Sequence, residues 1–153
     1  MVVDPKVEVI RRGYEAFNRR DPNAILEDMH PDFELDFSAS RGPERGVYPG
    51  KDGMTRLWKR YWEAFESVSI EVEEMIDADD QVIAIVRARG RGRGSGIEID
   101  ARGPHVWSFR EGKVIRFTLY QEVGEAIEAV LGAEATESPA PPDTESPRSK
   151  DRT

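Results

Sequence analysis

Residues 54–73 read MTRLWKRYWEAFESVSIEVE, and the spacing of their apolar side chains changes halfway along. Up to Phe65 the apolar positions (Met54, Leu57, Trp58, Tyr61, Trp62, Phe65) recur at three and four residues, the repeat of one helix face. From Val68 they alternate, with Val68, Ile70 and Val72 set against Ser69, Glu71 and Glu73, the repeat of a strand buried on one side. The switch divides the chain into a largely helical part and a stranded part.

Downstream, DADD at 77–80 supplies a turn, and strands are predicted over 82–89, 97–109 and, after the Glu111-Gly112 turn, 114–120. This is an antiparallel meander. A short helix over 124–131 closes it, with Gly132 as its C-cap. Upstream, Asp4-Pro5 reads as an N-cap followed by proline at the first helical position, and Val7, Ile10, Tyr14 and Phe17 carry that helix to about residue 20. Asp21-Pro22 repeats the start signal. Ile25, Leu26 and Met29 then form a short second helix that Pro31 stops. DFELDF at 32–37 alternates as a strand, SASRGPERGVYPG at 38–50 reads as a loop, and Asp52 opens the third helix. Segregated helices and strands make this an α+β chain, its helices laid on one face of a curved antiparallel sheet.

The 153 residues suffice for one domain, assigned to 1–132. The segment 133–153 has no aromatic and no large aliphatic residue and is dense in Pro, Ser, Thr and Glu, so it has nothing to bury and is expected to be disordered. A formal charge of −8 has the wrong sign for binding phosphate backbones over a broad surface. The absence of cysteine removes disulfides and thiolate chemistry, and two histidines do not make a histidine-rich metal centre. No cofactor and no metal are expected. No apolar run approaches the ~20 residues that span a bilayer, and MVVDPKVEVI lacks the order of a secretory signal. The expectation is a cytoplasmic protein with neither membrane nor nucleic-acid partners.

YEAFNRRDPNAI (14–25), HPDFELDF (30–37), FREGKVIRFTLY (109–120) and EAIEAVLG (125–132) together resemble SnoaL-like proteins of the NTF2-like superfamily, over roughly residues 5–132. The resemblance implies a cone-shaped α+β barrel whose sheet wraps three helices around a deep pocket, with homodimers formed through the outer sheet face. Ketosteroid isomerases, polyketide cyclases, epoxide hydrolases and dehydratases share this fold, so the fold does not choose the chemistry.

Two residues are candidates for catalysis. Asp36 ends an apolar strand beside the glycine-rich loop, where a carboxylate of raised pKa could move a proton. The resemblance sets it near the isomerases' general base; the alternative is a solvated strand end. His105 lies on the apolar face of its strand with Ile99, Ala101, Trp107 and Phe109. The resemblance sets it near the isomerases' oxyanion-hole acid, where a histidine can donate a hydrogen bond or titrate; the alternative is a core histidine bonded to a carbonyl. Gly13 falls where the isomerases place their catalytic tyrosine, so that mechanism does not transfer. Tyr14, one position on, belongs to the helix's apolar face and could reach a pocket. Phe17, Trp58, Trp62 and Trp107 are candidate pocket walls as well as core, and His30, before Pro31, is expected to meet helix-end carbonyls.

Two functions compete: a cofactor-independent isomerase, cyclase, dehydratase or hydrolase acting on a small hydrophobic carbonyl or ring compound, and a non-catalytic ligand-binding or dimeric scaffold domain. The enzyme reading requires Asp36 and His105 to converge on one pocket. RARGRGRGSG at 87–96 resembles an RNA-binding tract, but it joins two strands, and its arginines can answer acids such as Glu98 and Asp100.

Overall fold

A computed structural model describes residues 4–137. Helix α1 (Pro5–Asn18) starts as the sequence predicts, with the Asp4 carboxylate accepting from the Lys6 N–H at 2.9 Å and Pro5 at the first position, where no N–H is needed. Its buried face carries Val9, Ile10, Tyr14 and Phe17. At its end Asn18 grips a strand across the molecule: its Nδ2 donates to Ile70 O at 2.9 Å and its Oδ1 accepts from Ile70 N at 2.8 Å.

The second helix is a 3-10 segment, Pro22–Asp28, and Pro31 does not stop it. Asp21 makes no side-chain cap, and Met29 is already extended, opening strand β1 (Met29–Asp36). Pro31 sits inside that strand because the ladder to β6 (Lys113–Leu119) is irregular between Met29 and Glu34, where a missing N–H is tolerated. His30 therefore meets no helix end. Its Nδ1 accepts from the Asp32 N–H at 3.0 Å and its Nε2 lies 3.7 Å from Glu111.

A three-residue strand, β2 (Val47–Pro49), emerges from the expected loop and pairs antiparallel with β1. Helix α2 (Gly50–Ala64) runs directly into β3 (Phe65–Ala78), so the change of apolar period coincides with the change of structure. β4 (Gln81–Gly92), β5 (Glu98–Arg110) and β6 follow as the predicted meander. The sheet order is β2-β1-β6-β5-β4-β3. The curved sheet wrapped around the helices is as expected, with one difference: β1 and β6 are parallel, so the sheet is mixed, and β2 and β3 are its two edges.

The core has two layers. Ile10, Met54 and Leu57 pack without solvent exposure against Val82, Ala84 and Val86 on one sheet face, each such side chain contributing about 1.5–3 kcal/mol of burial. Ile83, Ile85 and Val106 point the other way and meet Ala126 and Val130 of helix α3 (Val123–Glu137). The unbroken VIAIV run at 82–86 is thus covered on both sides. That outer face is where the resemblance implies a second copy, and α3 occupies its β4–β5 portion. α3 also passes through Gly132, which is not its cap, and continues five residues into the segment expected to be disordered. Ala133, Glu134 and Ala135 are strong helix formers that give a running helix no reason to stop. Residues 138–153 of that segment lie outside the described residues.

The arginine-glycine stretch forms the β4–β5 hairpin. Arg87 makes a two-pronged contact with Asp100 at 2.7 and 2.8 Å, Arg91 reaches Glu98 at 3.3 Å, and Arg93 donates to the backbone oxygens of Trp62, Glu63 and Phe65 at the end of α2. No helix among the described residues is long and apolar enough to cross a membrane.

Candidate functional site

α1, α2 and the inner face of the sheet enclose a cavity of about 180 Å³. Its walls are almost wholly apolar and include Phe17, Phe33, Leu35, Met54 and Trp58. Three polar groups meet on its β5 side. The Tyr14 hydroxyl lies 2.7 Å from His105 Nδ1, across 91 residues of sequence, and accepts from Trp107 Nε1 at 3.0 Å. An indole N–H only donates, so the hydroxyl oxygen receives it and its one proton goes to Nδ1. Trp107 Nε1, the Tyr14 hydroxyl and His105 Nδ1 are then all paired, and the neutral imidazole carries its own proton on Nε2, the one polar hydrogen of the cluster left over.

Local sequence explains the arrangement. Strict alternation along β5 brings His105 and Trp107 to the inner face, where β6 supplies Phe117 with its ring centroid 4.7 Å from that of His105. On α1, Gly13 leaves room for the indole: a Cβ there would stand 2.6 Å from the Trp107 ring. The glycine that displaces the isomerase tyrosine from its position thus seats Trp107, and Tyr14 takes the polar role from the next position.

Burial sets the charge state. It pushes the His105 imidazole down to about 3, keeping it neutral at physiological pH. It pushes the Tyr14 hydroxyl far above its ordinary value, against the opposing hydrogen bond from Trp107. The pair is therefore a neutral hydrogen-bonding unit, suited to donating from Nε2 to a ligand oxygen and stabilising negative charge there, with no proton gained or lost at rest.

The structure does not bring Asp36 to this place. Phe33, Leu35 and Phe37 face the cavity, so alternation turns Asp36 to the opposite face of the sheet, beside Glu34. Its Oδ1 accepts from the Ser38 N–H at 3.0 Å and the Ser38 hydroxyl at 2.6 Å, and Arg116 lies 3.6 Å from its Oδ2 while also pairing with Glu34. The two expected catalytic side chains thus point to opposite faces. Phe17, Trp58 and Trp107 are cavity walls as expected. Trp62 is not: one residue round the helix from Tyr61, it faces a separate surface concavity with Arg20, Lys59 and Arg93.

Tyr61 belongs to the α2 stripe without being singled out by it, yet it is the fourth polar wall residue. It separates the cavity from an outer chamber of about 560 Å³ that shares Val68 and Ala88 and adds Glu44 and Arg60. Burial, and then the neighbouring Glu44 carboxylate, push its hydroxyl above the ordinary range. Glu44 is held by the Ser40 hydroxyl at 2.6 Å. Glu44 is the one acid of the loop sequence SASRGPERG, and nothing in that stretch marks it as lying beside Tyr61.

A mixed, open, curved sheet with helices packed inside it around an apolar cavity defines the NTF2-like α+β fold. The chain belongs to the SnoaL-like domain family, which it matches over residues 10–117. No curated protein matches it significantly. Among solved structures it is similar to TerC co-crystallised with polyporic acid, with a TM-score of 0.68 and 22% identity over 84% of this chain and 99% of that one. A putative SnoaL-like polyketide cyclase from Jannaschia sp. CCS1 aligns with a TM-score of 0.67 and 19% identity over 82% and 91% of the two chains. RV0760c from Mycobacterium tuberculosis, in complex with estradiol-17beta-hemisuccinate, gives 0.67 and 16% over 80% and 97%.

Proposed function

We propose that the protein binds a small, largely apolar ring compound in the inner cavity and that the Nε2–H of His105 donates to a carbonyl or hydroxyl oxygen on it. The observation that carries this reading is the Trp107–Tyr14–His105 relay set into an otherwise apolar wall. A polar cluster in a protein interior is costly unless each member is satisfied, and here one donor is left for a ligand. A dry cavity of ~150 Å³ takes up benzene, so about 180 Å³ suits a single ring, and a larger ligand extends past Tyr61 into the outer chamber. The ring compounds bound to TerC and RV0760c support the same class of ligand.

A second reading is cofactor-independent acid-base catalysis on such a ligand. It is favoured by one observation, the Glu44 carboxylate of the outer chamber beside the Tyr61 hydroxyl, which for a ligand spanning both spaces would make Glu44 the proton acceptor and His105 the oxyanion donor. Asp36 has no part in either reading.

The binding reading is tested by titrating naphthalene and 2-naphthol against tryptophan fluorescence. The naphthol is expected to bind roughly tenfold more tightly, as a buried hydrogen bond predicts. His105→Phe should abolish that preference, whereas Asp36→Asn should leave it intact. Absence of binding by both compounds, or an unaltered preference in His105→Phe, overturns the proposal.

A further inference from the structure

On the surface beyond Trp62, where α1, the end of α2 and the β4–β5 hairpin meet, we infer a second site, for a small oxyanion of the phosphate or phosphate-monoester type. Its walls are Arg20, Lys59 and Arg93 around Trp62, with Glu63 as the one acid. The two arginines converge on the same backbone oxygens. Arg20 reaches Trp62 O at 3.5 Å and Phe65 O at 3.4 Å; Arg93 reaches them at 3.2 and 3.1 Å. Sharing acceptors holds two guanidinium groups side by side.

The hairpin's other arginines behave differently. Arg87 and Arg91 have carboxylate partners within 3.3 Å, and Arg89 lies 4.0 Å from Asp100. Among the described residues no carboxylate lies within 4.0 Å of Arg20, Arg93 or Lys59, Glu63 included. In a chain of net charge −8, three adjacent cations without a counter-charge stand out. Capping the carbonyls of α2 explains the bonds the arginines make, but it does not neutralise them, and it gives Lys59 no role.

A further observation points the same way. The Trp62 side chain, 9% exposed, lines this concavity, and its Nε1 is the buried side-chain polar atom with no partner among the described residues. A buried donor left without an acceptor carries a desolvation penalty and calls for an explanation. Arg20, at a φ of 58°, is the left-handed residue that closes α1, where the Asp21 N–H donates to Ala16 O at 2.9 Å, and this turn carries its side chain to the concavity. The concavity presents donors from three elements, and an oxyanion with several acceptor oxygens is the ligand class that matches them. Phosphate fits better than a monoanion such as chloride because it spans more than one cation and accepts from each.

Phosphate and phenyl phosphate are titrated into the full chain, with sodium chloride at matched ionic strength as the reference, while the indole N–H resonances of Trp58, Trp62 and Trp107 are followed by NMR. The expected result is a saturable shift confined to the Trp62 resonance, given by both phosphates and not by chloride. Response to phenyl phosphate alone assigns the site to monoesters, and response to both assigns it to the shared dianion. Because Arg20 and Arg93 also hold the end of α2, the variant of choice is Lys59→Gln, which removes no backbone contact; it should weaken binding by about tenfold. A Trp62 resonance that ignores phosphate or responds equally to chloride, or an unaltered affinity in Lys59→Gln, overturns the proposal.

Discussion

Tyr14→Phe removes one oxygen atom from the wall of the cavity and leaves every ring in place. The Trp107 Nε1–H loses its acceptor at 3.0 Å and His105 Nδ1 loses its donor at 2.7 Å, both in a fully enclosed setting. Each buried group left unsatisfied costs about 1–3 kcal/mol, so the variant should lose roughly 2–6 kcal/mol of stability. At about 3–4 °C per kcal/mol for a domain of this size, the melting temperature should fall by about 6–24 °C. Urea unfolding followed by circular dichroism measures the loss, and a double variant isolates its cause. Replacing both partners by apolar groups removes the unpaired imidazole nitrogen, so Tyr14→Phe with His105→Phe should cost less than the two single variants added together, by about 1 kcal/mol or more. A single-variant loss below about 0.5 kcal/mol, or strict additivity, would refute the relay.

Two other outcomes are expected. Burial holds His105 down to about 3, below the ~6.5 it has in an unfolded chain, so between these values the unfolded state binds a proton that the folded state does not. This contribution is fully present above pH 6.5 and is lost as the pH falls toward 3, on the order of a few kcal/mol in all. Urea midpoints of the parent and His105→Phe at pH 7 and pH 4 should therefore converge, and an identical pH response in the two proteins contradicts the assignment. Gly13→Ala gains about 1 kcal/mol of helix propensity but sets its methyl group 2.6 Å from the Trp107 ring, so a net loss of about 1–2 kcal/mol is expected. Thermal melting checks it, and a variant more stable than the parent shows that the indole moves freely.

The parts of the fold legible in the sequence were those written in periodicity. The change of spacing at Phe65 marks the junction of α2 and β3, and alternation along β5 correctly turned His105 and Trp107 to the inner face. The same rule applied to Phe33, Leu35 and Phe37 turns Asp36 outward, a signal present in the sequence but outweighed by the resemblance to the isomerases. The bond between Tyr14 and His105 was not legible, because contacts across 91 residues depend on how α1 lies over the sheet. Trp62 was assigned to the cavity because an apolar stripe this wide wraps past a single cavity wall. Pro31 was read as a stop because no local pattern announces the break in pairing that lets a strand absorb it.

The grip of Asn18 on Ile70 has a consequence for how the protein behaves in concentrated solution. β3 is an edge strand of 14 residues, long enough to recruit a strand from another molecule into a growing aggregate. Asn18 occupies both hydrogen-bonding groups of a residue in the first half of that edge, so an incoming strand finds its template interrupted where Val68, Ile70 and Val72 would make it most adhesive. One amide side chain at the end of a helix thereby serves as a guard against edge-to-edge polymerisation.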